Sequence, residues 1–448
     1  MAEKKMSRRG YLKYLGAGVV VAAIGGAGYY YYTTTGTTTP NTTASTTTPA
    51  GGYGFEVWDL HSEESLANVI QDCINSFIAG SSNTGEVLIV PESDFYAKFS
   101  SALAANALPD VVLSDVSYVK SYIETGAFVP LDDIIEQLGG MAQFPEPVMN
   151  LYASQGKHYG INVYNTEGGL NYRKDILDKY GVKPPTTWDE WLNVAKACTD
   201  PSKGIYGFGM ASGTSVIADW GVSTIMKTNG ATIFDETGEN VVFDSPETVE
   251  TFEFLKQLFQ YAPKETASWS WAESKRAIWD GLCATTWYLM ISTIKDTMRY
   301  NSAVLPYVGI ASTPKKKEYA VFNAPSAWLV PSQGKNVEEA KKLAYLLSTP
   351  QWVVKQGLTE IDYVPATKDA MARPEYWADS RIDQNKDLIK SMTDLVAYAY
   401  PYAGGAAKSS AVIGANLTSQ ALQEVLYKSR SPSDVVTEYQ KKIEDAIK

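Results

Sequence analysis

The stretch from Gly156 to Lys196 constrains the fold of this chain more than any other. Tyr159–Gly169, rich in Tyr and Gly, reads as an extended crossover, and Leu170–Tyr172 as a short strand. A helix follows that Asp175 opens and Gly181 stops, since glycine alone takes the left-handed conformation at a helix end without cost. Pro184-Pro185 then breaks the chain. Thr187-x-x-Glu190 is a capping box, in which each residue satisfies a backbone N–H that the other leaves bare, so a second helix starts at Trp188.

Upstream, Phe55–Trp58, Val87–Val90 and Val111–Leu113 are short apolar runs that read as strands. Between them, Leu66, Val69, Ile70, Cys73, Ile74 and Phe77 recur at helical spacing before Gly80, and Phe95, Phe99 and Leu103 mark another helix. Strands separated by helices of this length form a parallel sheet, whose ligands meet the carboxyl ends of the strands. Downstream, Ser245-Pro246 and Ser431-Pro432 are helix starts with proline in the first turn, and Asn336-x-x-Glu339 opens an amphipathic helix. Trp279-Asp280-Gly281 closes a helix ahead of a strand at Leu282–Trp287.

Tyr159-Gly160-Ile161, Gly169-Leu170, Tyr172, Lys174-Asp175, Tyr180-Gly181-Val182, Pro185 and Thr187-Trp188-Asp189-Glu190 together resemble a segment of the family 1 extracellular solute-binding proteins of ABC importers. Leu108-Pro109-Asp110-Val111, Gly126–Asp132 and Gly204–Gly209 resemble further segments of that family. The resemblance covers about residues 53–448 and implies an α/β, two-lobe periplasmic-binding-protein-like fold of type II. Three crossover segments would join the lobes, each a mixed sheet flanked by helices. Residues 53–163 and 311–362 would form the first lobe, and 164–310 with 363–448 the second. The resemblance also implies a small-molecule solute, an ABC permease as partner, no cofactor, no catalysis and a monomer. Cys283 stands where the family has methionine, and Arg173 where it commonly has asparagine.

The first 32 residues read as a separate device. Ser7-Arg8-Arg9-Gly10-Tyr11-Leu12-Lys13 precedes the uncharged run Tyr14–Tyr32 and resembles a twin-arginine export signal. As a helix the run spans about 28 Å, close to the thickness of a bilayer's hydrocarbon core. With basic residues before it, the rest of the chain is expected outside, either anchored by the run or released from it. No cysteine precedes Cys73, which excludes a lipid-modified one. Residues 33–52, all Thr, Pro, Ala, Gly and other uncharged residues, have nothing with which to bury a core and read as an extended stalk.

Composition narrows the partners. The formal net charge is −11, and the first 50 residues are basic, so the remainder is more acidic still. That disfavours a nucleic acid, or any membrane contact beyond the N-terminal run, because both need clustered Lys and Arg. Three widely spaced cysteines and two histidines give neither a zinc pattern nor a redox motif, and Cys73, Cys198 and Cys283 read as small buried residues. No G-x-S-x-G or H-E-x-x-H occurs. A carbohydrate-active enzyme remains the rival class, since two glycosidase carboxylates need no fixed spacing.

Eleven Trp and 29 Tyr stand out. Sugars expose an apolar face that stacks on Trp or Tyr and hydroxyls that bond to Asp, Asn or Glu, so a mono- or oligosaccharide is the expected solute. Trp58, Asp59 and His61 follow the first strand, and Asp115 the third. Each has a structural alternative: Trp58 as core, Asp59 and Asp115 as caps. Tyr164 and Asn165 lie in the crossover as contacts or as hinge residues. Trp220, Trp269, Trp271, Trp287 and Tyr288 are second-lobe candidates, divided between core and ligand platform. Asn323, Ser326 and Trp328 lie in a segment where the family usually carries glycines, and Tyr363 at the expected third crossing.

Overall fold

The computed structural model describes residues 52–448 apart from 62, 236, 361–363, 384–385, 387–388 and 391–407. The expected export signal or anchor and all of the stalk but Gly52 lie outside the described residues, as does Tyr363. In chain order the main elements are β1 (Gly54–Asp59), α1 (Glu64–Ile78), β2 (Thr84–Ile89), α2 (Glu92–Ala104), β3 (Val111–Asp115), α3 (Val116–Glu124) and β4 (Gly160–Arg173). Then follow α4 (Lys174–Lys179), α5 (Trp188–Cys198), β5 (Tyr206–Gly209), α6 (Val216–Thr228), α7 (Pro246–Leu258), α8 (Trp271–Trp279), β6 (Cys283–Leu289) and α9 (Met290–Asn301). The last are β7 (Val308–Ala311), β8 (Phe322–Leu329), α10 (Val337–Leu347), α11 (Pro350–Glu360), β9 (Val364–Pro365), α12 (Leu417–Tyr427) and α13 (Pro432–Ala446).

The strands form one mixed sheet in the order β2-β1-β3-β8-β4-β6-β5, with β7 and β9 also paired to β4. The pairs β1–β2, β1–β3 and β5–β6 are parallel, and every pair made by β4 or β8 is antiparallel. The expected short strand at Leu170–Tyr172 is instead the end of a 14-residue strand, because the whole crossover is paired. From Gly160 to Gly168 it lies against β8, and from Gly168 onward against β6 and β7. One strand thus belongs to both halves of the molecule. Gly168-Gly169 marks the change of partner: a Cβ on Gly169 would meet the Ala311 carbonyl oxygen at 2.7 Å and Met290 Sδ at 3.0 Å.

Helices cover both faces of the sheet, so its central strands are buried on two sides. Alternation along β1 and β3 sends Trp58 and Val112 to one apolar layer, with Phe95, Phe99, Trp191 and Phe252. Phe55, Val57, Val111 and Leu113 go to the other, with Leu66, Ile70, Leu343 and Val353. The capping box is present at α5, where Thr187 accepts from the Glu190 N–H and Glu190 reaches back. Ser245, Asn336 and Ser431 cap α7, α10 and α13 as expected. Arg173 makes two 2.8 Å bonds to Asp175 and donates to the Ile278 carbonyl at 3.0 Å, which ties the end of β4 to α8.

The described C-terminal helices pack in two places. The short helices Lys368–Met371 and Pro374–Ala378 pack on α11, which packs on α1, and Tyr376 shares the apolar layer of Leu66. Among the described residues, α12 packs on α6 and α7, α13 on α7, and the short helix Ser409–Gly414 on α6, α13 and α3. Among the described residues, no helix is long and apolar enough to cross a membrane.

Candidate functional site

A cleft of about 940 Å³ opens at the carboxyl ends of β1 and β3, between the two halves of the sheet. The first half contributes the loop after β1, with Leu60, His61 and Glu63, together with Asp115 and Tyr118. Thr166 of β4 and Ala324 and Ser326 of β8 come from the strands that pass between the halves. The second half contributes Trp220 from α6, Tyr288 from β6, and one wall from α8 and α9.

That wall is written in helical spacing. Trp271, Lys275 and Trp279 follow at four-residue intervals on α8, and Ser292, Asp296 and Tyr300 do the same on α9, so each trio forms a stripe on one face. The stripes are joined by an ion pair between Lys275 and Asp296, and Lys275 Nζ also reaches Ser292 Oγ at 3.3 Å. Trp279 stacks on Tyr300 with centroids 5.5 Å apart and planes 29° from parallel. A second capping box, Ser270 with Glu273, starts α8 and sets where Trp271 falls. Apart from Trp271, these residues were absent from the candidates taken from the sequence, although the two stripes and the Ser270-x-x-Glu273 signal are legible there.

The floor is polar. His61 Nδ1 lies 2.8 Å from Asp59 Oδ1, which also accepts from the His61 backbone N–H at 2.9 Å. On its other side His61 Nε2 lies 3.2 Å from Ser326 Oγ. Asp59 is fully buried, and burial pushes its carboxyl above the ordinary range against the opposing pull of its bonds to His61. The ring of Tyr164 meets that of His61 edge-on at 5.7 Å. Asp115 Oδ1 accepts from the N–H and hydroxyl of Ser117 at 2.7 and 2.5 Å, so it caps α3 and lines the cleft at once.

The sequence candidates therefore separate. His61, Asp115, Trp220 and Tyr288 line the cleft, while Asp59 and Tyr164 stand behind His61. Trp58 is core: β1 runs one residue further than expected, so Trp58 points to the helix layer, edge-on to Phe99 at 6.5 Å. Trp328 and Trp287 sit in strands covered on both faces, and the Trp287 indole is spent on a 3.0 Å bond to Thr313 Oγ1. Asn165 and Asn323 are buried in the β4–β8–β9 pairing, outside the cleft lining. Their neighbours Thr166, Ala324 and Ser326 face the cleft instead.

A two-lobed α/β body whose lobes share paired crossing strands beside a cleft is the type II periplasmic-binding-protein fold. A solute-binding protein of Thermotoga lettingae bound with α-D-tagatose superposes with a TM-score of 0.75 at 19% identity, over 89% of this chain and 100% of that one. Maltose-bound MalE3 of T. maritima gives 0.73 at 18% identity, over 88% and 100%. The profile of the family described as bacterial extracellular solute-binding protein matches residues 86–354, and the chain belongs to that family. A maltotriose-binding protein of Pyrococcus abyssi is 22% identical over 315 residues, which is 70% of this chain and 66% of that protein. The chain spans 40% and 34% of the lengths of two further relatives.

Proposed function

We propose that this protein is an extracellular receptor that captures a mono- or oligosaccharide between its lobes and delivers it to an ABC permease. The observation that carries this reading is the make-up of the cleft. Aromatic rings from α6, α8 and α9 alternate with carboxylates, hydroxyls and cations around one space, as a ring of hydroxyls on an apolar carbon frame requires. The sugars named for the relative from P. abyssi and held by the similar structures support the same class. Solute that binds one lobe and adds contacts to the other favours the closed arrangement by its greater affinity for it. No bond of the solute changes, so the protein acts as a binder and not as an enzyme. The N-terminal run would hold it at the outer face of the membrane as a monomer.

Titration calorimetry with maltotriose, maltose and D-tagatose tests this reading. Saturable binding of at least one sugar, without turnover, is expected. No heat from any of them, with binding of a polyamine, anion or peptide instead, would move the receptor to another solute class. Hydrolysis of a bound oligosaccharide would make it an enzyme.

A further inference from the structure

Beyond the sugar reading, on which it rests, the cleft floor carries a more specific assignment. Asp59, His61 and Ser326 come from three places: the end of β1, the loop after it, and β8. They nevertheless form one unbroken chain of contacts, 2.8 Å from carboxylate to Nδ1 and 3.2 Å from Nε2 to the serine hydroxyl. A neutral imidazole carries one proton, and the partner of one nitrogen decides where it sits. Here Asp59 Oδ1, which already accepts from the His61 backbone N–H, faces Nδ1 as an acceptor, so the proton lies on Nδ1 and Nε2 keeps its lone pair. Ser326 Oγ–H then donates to Nε2. Its own lone pairs are left toward the cleft that it lines.

We propose that this relay makes the cleft floor a hydrogen-bond acceptor when His61 is neutral, so that the sugar must present a hydroxyl proton to Ser326, and that protonation of His61 reverses the polarity. On protonation Nε2–H donates to Ser326 Oγ, and the serine proton turns toward the ligand. Ser326 is then the residue that reads hydroxyl orientation, and Asp59 and His61 are positioning residues.

Charged groups line both sides of the imidazole. On the first-lobe side stand Asp59, Glu63 at the start of α1, and Asp115 at the end of β3, with the Tyr164 ring against the imidazole edge. Across the cleft, Lys275 is paired with Asp296 and Arg276 with Asp280, and Lys295 lines the same wall.

Two measurements on the full chain in detergent test the relay. The chain has two histidines, so an imidazole ¹⁵N spectrum holds two rings, assigned by His158→Gln. At pH 7.5 the His61 ring should carry its proton on Nδ1, and Ser326→Ala should shift the Nε2 signal. Protonation on Nε2 at that pH overturns the assignment whether or not any sugar binds. The second measurement is the pH profile of maltotriose affinity, or of maltose or tagatose if either binds better. The wild type should lose roughly three- to tenfold in affinity between pH 7.5 and 5, the worth of one hydrogen bond. Ser326→Ala and His61→Gln should both flatten that profile, and profiles parallel to the wild type overturn the proposal. If no sugar binds at all, the receptor reading fails while the ring spectrum still decides the relay.

Discussion

Trp220 of α6 stacks on Phe322 of β8, with centroids 4.7 Å apart and planes 26° from parallel. A helix of the second lobe thereby holds an aromatic face in the cleft by resting on a strand that belongs to both lobes. The platform is pre-formed, so a ligand has little side-chain ordering to cost it. Trp220→Ala should weaken binding of the preferred sugar about tenfold or more, and Trp220→Phe should retain part of it. Calorimetry measures both. Equal affinities for wild type and alanine variant would place the ligand elsewhere in the cleft.

Glu167 gives a pH signature to the crossing strand. It is buried in β4 opposite Asn323 of β8, its Oε2 has no hydrogen-bond partner among the described residues, and burial pushes its carboxyl up to about 7. An unfolded glutamate titrates near 4.3, so between about pH 4.5 and 7 the folded state holds a proton that the unfolded chain releases. Its contribution to stability is present at low pH and is lost as pH rises toward 7. Glu167→Gln should therefore gain on the wild type with rising pH, by on the order of 1–3 kcal/mol between pH 4.5 and 8. Urea unfolding at the two pH values measures the gain, and a difference that does not change with pH would contradict it.

The residues that set local structure were legible in the sequence, and those that set the cleft were legible only in part. Thr187, Ser245, Asn336 and Ser431 act through backbone N–H groups within a turn of themselves, so their roles need no tertiary information. Trp58, Trp287 and Trp328 show the limit. A tryptophan at a strand end is a cleft residue or a core residue according to one step of register, and helices on both faces make either direction apolar. His61 and Ser326 are 265 positions apart, and nothing local announces that β8 lies beside β3. The α8 and α9 stripes were readable as helix faces. That the faces look into a cleft and not a core follows only from how the lobes stand apart.

Gly169 tests whether the shared strand tolerates any widening. A Cβ there would press on the Ala311 carbonyl at 2.7 Å, and that oxygen belongs to the backbone of the paired strand β7, which cannot rotate aside. Gly169→Ala should cost about 1–3 kcal/mol and lower the urea midpoint. Because β4 carries both halves of the sheet, sugar affinity should fall in the same variant. Gly181→Ala is the control, for nothing lies within 4 Å of a Cβ there and only its left-handed φ of +67° is strained. Its midpoint should fall by a smaller amount with affinity unchanged.

Cys73, Cys198 and Cys283 are free and buried, in three separate apolar clusters. Burial raises each thiol: to about 12 for Cys73, to about 11 for Cys198, and further for Cys283, which donates to the Phe208 carbonyl at 3.4 Å. The thiolate is the reactive form, so all three are protected both by access and by charge. The native protein at pH 8 should react with an aromatic disulfide reagent orders of magnitude more slowly than a free thiol. Three equivalents should appear only in denaturant, with reductant making no difference to the count. A fast-reacting thiol in the native state, or a single equivalent on unfolding without reductant, would show that the clusters open or that two of the sulfurs are joined.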